Sequence, residues 1–145
     1  MKKTTLYYVA ASFAVVLLAL GACACTRNHG DIGPWFGTWH VQQITADGIR
    51  VNVEGDYFFQ FQSHVFRVSQ VYGHEQTVES YGAWQETDGG DMLVDFSDPD
   101  VFYIQMPGLE TRNRFTVTTA SSGDVTFTKT DTQGTQYTYH LKKQP

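Results

Sequence analysis

The feature that most constrains the fold is a repeated alternation of apolar and polar residues. The stretch 57–62 reads YFFQFQ, so Tyr57, Phe59 and Phe61 lie on one face of an extended chain. Similar alternation recurs at 115–119 and 137–142, and no stretch of helical period follows residue 23. This pattern is typical of strands with one buried face.

Short runs rich in Val, Ile, Thr, Tyr and Phe alternate with Gly, Asp, Asn and Ser turns along the chain. They predict strands at 38–45, 49–53, 57–62, 65–72, 77–86, 92–96, 114–119, 125–130 and 136–142. A meander without covering helices must close on itself to hide its apolar face and its edges. We therefore predict an all-β, eight- to nine-stranded antiparallel up-and-down β-barrel.

The segment 97–113 is longer than a hairpin loop, yet it is apolar at its centre. This segment either folds over one barrel mouth as a lid or adds a short strand, or it is simply a loop packed on the core. The packed loop is the preferred interpretation. Long insertions in compact domains are often functional.

The N-terminus has the layout of an export signal. Lys2 and Lys3 precede an apolar run that ends at Leu20, which is too short for a convincing membrane span. Residues 1–22 are predicted to be a lipoprotein signal peptide, because Leu20-Gly21-Ala22-Cys23 resembles the bacterial lipobox. That resemblance implies lipidation at Cys23; the alternatives are an ordinary signal with a chance cysteine, or lipidation at Cys25.

Two further regions follow the signal: a flexible tether at 23–34 and one domain at 35–145. No cysteine follows Cys25, so the domain folds without an internal disulfide. With the signal removed, 8 basic residues face 15 acidic ones, which disfavours nucleic acid as a partner. No acidic residue directly follows Cys23, which favours the periplasmic face of the outer membrane.

The triplet Gly37-Thr38-Trp39 on the first strand of such a meander resembles the lipocalins. The resemblance implies that Gly37 and Trp39 help to close the narrow end of the barrel under a basic side chain from the last strand. Lys142 and Lys143 stand where that family has an arginine. Over residues 35–143, the order of motifs is similar to the lipocalin-like lipoprotein families of Gram-negative gut bacteria, which implies a barrel, an anchor and binding.

The aromatic residues supply the candidate ligand contacts, because barrel mouths are common pocket positions. They are Tyr57, Phe59, Phe61, Phe66, Tyr72, Trp84, Phe115, Phe127, Tyr137 and Tyr139. The same residues would equally well fill the interior of a small barrel.

The sequence contains no convincing metal site, cofactor site or catalytic group. His64, His74 and Glu75 would supply two or three zinc ligands if a hairpin brought them together, but their spacing matches no metal motif. The aspartates at 95–100 lack the pattern of a calcium loop. No nucleophile motif is present. We expect a monomeric, non-enzymatic, membrane-anchored protein that binds a small apolar or amphipathic ligand. The alternative is a packed barrel that acts as a structural module of the cell envelope or binds an envelope protein or a glycan.

Overall fold

The computed structural model describes residues 33–74, 76–96 and 104–145. The predicted signal peptide, Cys23 and nearly all of the predicted tether lie outside these residues. The described residues form strands, turns and connecting segments without a helix, and none of them forms a helix suited to crossing a bilayer.

Nine strands of the described residues make up one antiparallel sheet. They are β1 (Gly37–Ala46), β2 (Ile49–Arg50), β3 (Asp56–Gln62), β4 (Val65–Tyr72), β5 (Gln76–Glu86), β6 (Met92–Asp95), β7 (Arg112–Ser121), β8 (Asp124–Thr130) and β9 (Gln136–Lys143). Strand β9 pairs with β1 and thereby closes an eight-stranded barrel, while β2 pairs with the end of β1. The predicted fold class is confirmed.

The predicted strand at 49–53 is wrong in its extent, because β2 contains two residues. Val51 donates its amide hydrogen to the carbonyl of Ile44, and the chain then turns toward β3. Gly55 makes this turn at a φ of +71°, where a Cβ would collide with the carbonyl of Val71. Residues 52 and 53 therefore leave the sheet.

The barrel has two different ends. We call the end at which β1 begins and β9 ends the closed end, and the opposite end, where β3 begins and β8 ends, the mouth. Side chains on the inward faces fill the space between them; the fully buried aromatic ones are Trp39, Phe59, Phe61, Phe66, Phe115, Phe127 and Tyr139. This aromatic cluster forms the core.

Candidate functional site

The closed end is built around Trp39, which is 1% exposed. Its indole nitrogen donates to the carbonyl of Trp35 at 2.9 Å. Lys143 Nζ lies 5.5 Å from the centroid of the Trp39 ring and donates to the carbonyl of Pro34 at 3.0 Å. The sequence left Lys142 and Lys143 as alternatives; the structure places Lys143 over the ring, beside Gly37, and leaves Lys142 exposed.

Trp35 also belongs to this end, although no role was predicted for it from the sequence. Its ring centroid lies 5.7 Å from that of Trp39, 6.1 Å from that of Phe61 and 5.6 Å from that of Phe127. Such tilted and edge-on pairs are the favoured aromatic contacts. The closed end is therefore blocked by two tryptophans and a cation.

The ten aromatic residues predicted as ligand contacts lie on or near the barrel interior. Phe59 lies at the centre, and its ring centroid is 5.1 Å from that of Phe66 and 6.1 Å from that of Phe127. Eight of the ten are buried, and Tyr72 and Tyr137 are half-buried. Their binding role stays a prediction; in this conformation they contact other protein side chains.

The mouth is covered by residues 104–110, which we call the mouth segment. Ile104, Met106 and Leu109 of this segment are buried in the core, although no residue of the segment belongs to a strand. The amide of Leu109 donates to the carbonyl of Met106, with Pro107 and Gly108 between them. Proline followed by a glycine with a φ of +77° is the signature of a type II turn. The preferred sequence interpretation, a loop packed on the core, describes this part of the 97–113 insertion.

A polar network lies directly beneath the mouth segment. Lys129 is 4% exposed, and its ammonium donates to Gly108 O at 2.5 Å, to Asn113 Oδ1 at 2.8 Å and to Glu110 Oε2 at 2.9 Å. Asn113 is also buried. Its Nδ2 donates to the carbonyl of Glu110, and its Oδ1 accepts the amide hydrogen of Glu110. A buried charge normally requires such partners. No functional role was predicted for these residues from the sequence, although the alternation of Val125, Phe127 and Lys129 places the lysine on the inward face.

Burial and hydrogen bonding at the mouth shift the pKa values of Glu110 and Tyr139. Partial burial acts to raise the pKa of the Glu110 carboxyl, but hydrogen bonds from Lys129 and Thr132 outweigh it and hold that pKa below its usual value. Burial strongly raises the pKa of the Tyr139 phenol. Tyr139 therefore stays protonated and donates to the carbonyl of Pro107 at 2.6 Å.

The other sequence candidates do not assemble into a site. His64 lies in the β3–β4 turn at the closed end and His74 in the β4–β5 turn at the mouth, so the idea that they approach each other is wrong. Asp95 pairs with Arg112 at 3.5 Å on the outside of the barrel, whereas the other two aspartates of 95–100 lie outside the described residues. Within the described ranges, no three His, Cys, Asp or Glu side chains are grouped to hold a metal ion.

These features define a lipocalin-like β-barrel, and solved structures share its fold. A lipocalin-like protein from Bacteroides uniformis ATCC 8492 aligns with a TM-score of 0.59 at 17% identity, over 77% of this chain and 100% of that one. An uncharacterized protein from Bacteroides eggerthii DSM 20697 aligns with a TM-score of 0.58 at 16% identity, over 76% of this chain and 99% of that one. A redesigned β-barrel aligns with a TM-score of 0.52 at 19% identity, over 77% of this chain and 93% of that one.

At these identities, the likeness establishes the lipocalin-like fold of the chain. None of the three structures is described as an enzyme. No family model matches the sequence, and no curated protein is significantly similar to it.

Proposed function

We propose that this protein is a lipid-anchored envelope protein that binds a small apolar or amphipathic molecule at the barrel mouth without transforming it. Its lipocalin-like fold supports the proposal, because β-barrel mouths are preferred positions for small-molecule sites. The lipobox-like Leu20-Gly21-Ala22-Cys23 supports an anchor at Cys23. The absence of acidic residues directly after Cys23 supports the periplasmic face of the outer membrane.

The observation that carries the binding proposal is how the mouth is filled. Ile104, Met106 and Leu109 place apolar side chains in the core, yet the mouth segment that bears them is outside the strand ladders. Hydrogen bonds from barrel side chains hold it, among them those from Tyr57 to Gln105 O at 3.4 Å and from Tyr139 to Pro107 O. Segments attached through few ladder bonds open at lower free-energy cost than strands do.

In this proposal, a ligand takes the place of the three apolar side chains when the mouth segment moves outward. The aromatic cluster beneath it stays packed and forms the floor of the site. The bound and closed states then compete for the same apolar surface, so anything that weakens the closed state raises the apparent affinity.

Native mass spectrometry tests the binding proposal on the domain lacking its first 25 residues, purified gently from the source bacterium. We expect a retained small molecule that is released on denaturation. Met106→Ala should strengthen rebinding because it loosens the closed mouth, whereas Leu93→Ala, on the outside of β6, should not change it. A ligand-free mass, together with no rebinding from a lipid extract, would exclude this function.

The anchor needs a separate test, with the full chain expressed in a Gram-negative host. We expect the mass of attached acyl chains and membrane fractionation, both lost in Cys23→Ala and kept in Cys25→Ala. Added protease should degrade the domain in spheroplasts but not in intact cells. Degradation in intact cells would instead place it on the outer surface.

A second function is favoured by the density of the interior and by one feature of the outer surface. Phe59, Phe61 and Phe66 are 0% exposed, so in this conformation no water-sized space adjoins them. Outside, a mainly polar groove of about 270 Å³ lies between β1 and residues 50–56, near Ile49, which is 74% exposed. A packed barrel could bind an envelope protein or a glycan there, and a co-purifying partner lost in Ile49→Lys but kept in Met106→Ala would support this candidate.

A further inference from the structure

Lys129 is an unexpected residue for the inside of a small barrel. It follows Val125 and Phe127 on the inward face of β8, and its side chain is 2% exposed. Desolvating an ammonium group is costly, and well-packed apolar residues commonly replace buried ion pairs without loss of stability. The fold alone gives no reason for a lysine at this position.

The mouth segment provides two of the three acceptors around this ammonium. Gly108 offers a backbone carbonyl and Glu110 a carboxylate, while Asn113 on β7 offers its side-chain oxygen. An ammonium has three hydrogens to donate, so all of them are used. Outward movement of the segment would remove the Gly108 carbonyl and loosen Glu110, leaving Lys129 underpaired in an apolar setting.

The side chains that fill the closed mouth therefore resemble, taken together, an amphipathic anion. Ile104, Met106 and Leu109 supply the apolar part, and the Glu110 carboxylate supplies the head that contacts Lys129. The three side chains contain about twelve heavy atoms, so an unbranched chain of about 10–12 carbons would fill their space at the density of a protein interior.

We propose that Lys129 binds the carboxylate head of a fatty-acid-like ligand whose tail takes the place of Ile104, Met106 and Leu109. This inference rests on the proposed binding function and names its ligand class. Asn113 assists, because its Nδ2 donates to the Glu110 carbonyl at 2.6 Å in the closed state and is freed when that residue moves. The ligand carboxylate thus meets two donors.

The charge of Lys129 makes the binding selective. A carboxylate restores a charge-assisted hydrogen bond to the ammonium, whereas an alcohol of the same length offers a weaker neutral one. A cationic head group would be repelled. We therefore expect the protein to prefer dodecanoate to 1-dodecanol by about tenfold or more, which is the size of effect that a hydrogen bond to a charged group produces.

The test compares dodecanoate, 1-dodecanol and dodecyltrimethylammonium in titration calorimetry, with the two ionic probes below their critical micelle concentrations and the alcohol below its solubility limit. Lys129→Met keeps the length of the side chain and should abolish the preference for dodecanoate; Lys142→Met, on the exposed lysine, should keep it. Equal affinity of the wild-type protein for acid and alcohol, or a preference that survives in Lys129→Met, would overturn the inference while leaving ligand binding intact. Failure of all three probes to bind would instead contradict the proposed function.

A second variant decides the matter if Lys129→Met does not fold. Glu110→Gln retains Lys129 but removes the carboxylate that competes with the ligand head. It weakens the closed state for both probes, and it also removes a negative charge that would repel a ligand carboxylate beside Lys129, so the affinity for dodecanoate should rise severalfold more than the affinity for 1-dodecanol. An equal change for both probes would show that the ligand carboxylate does not lie near Glu110 and Lys129, against the inference.

Discussion

Gly108 offers the sharpest test of how the mouth is closed. A Cβ added at this position would collide with the ring of Tyr137 and would lie 2.5 Å from the phenolic oxygen of Tyr139. The residue also has a φ of +77°, which favours glycine. Gly108→Ala thus combines a backbone cost with a steric one. Gly134→Ala isolates the backbone cost, because Gly134 has a φ of +88° and open space around its Cβ position.

The two costs can be separated by magnitude. A non-glycine residue in the left-handed region costs about 1–2 kcal/mol, which is the loss expected for Gly134→Ala. Forcing an extra methyl group against well-packed buried rings costs about 1–3 kcal/mol more. We therefore expect Gly108→Ala to lower the free energy of unfolding by about 2–5 kcal/mol. The loss cannot exceed the free energy that attaches the mouth segment to the barrel, since detachment relieves the clash.

The assay is chemical denaturation of both variants beside the wild-type domain, followed by circular dichroism and tryptophan fluorescence. For a domain of this size, each kcal/mol also lowers Tm by about 4 °C. If Gly108→Ala costs no more than Gly134→Ala, the mouth segment is not packed against Tyr137 and Tyr139 as described. In that case, the argument that a ligand must displace it would fail as well.

Three other substitutions test the closed end, the core and the charge network. Lys143→Met should lower the free energy of unfolding by about 0.5–2 kcal/mol through loss of the cation–π contact, and Lys142→Met should leave it unchanged, as read from urea denaturation. Phe59→Ala should cost about 3–5 kcal/mol because it leaves a core cavity, whereas Phe58→Ala, on the outer face, should cost clearly less; equal losses would contradict the assigned faces. Because the folded-state pKa of Glu110 is lowered, its stabilisation is present above the ordinary carboxyl pKa and is lost as pH falls through the folded value. The unfolding free energy of Glu110→Gln should thus fall less steeply than that of the wild type below about pH 5, and parallel curves would refute the pairing with Lys129.

The sequence predicted the barrel well because strand alternation is a local signal. The inward positions of Tyr57, Phe59 and Phe61 follow from a period of two, and all three are buried. The short extent of β2 was not predictable in the same way, since it depends on where the pairing of β1 with β3 ends, at Val41, and that pairing is a long-range event. A bulge between Val41 and Gln43 marks that point.

The candidate site was only partly predictable for a related reason. The Pro107-Gly108 pair is a local turn signal, and alternation along β8 places Lys129 inward. The partners of Lys129 come from Asn113 and Glu110, which are 16 and 19 residues away in the chain. A segment without periodicity carries no local signal of where its side chains will lie, so the network required the folded chain.

The contact between Lys143 and Pro34 fixes where the chain enters the barrel. It joins the start and the end of the domain at the closed end, whereas the mouth segment lies at the opposite pole of the barrel. A tether that begins at the proposed Cys23 anchor therefore enters the domain at the pole away from the mouth. If the proposed anchor and ligand are correct, a second protein that delivers or collects the ligand can approach the mouth along the barrel axis without competing with the attachment for space.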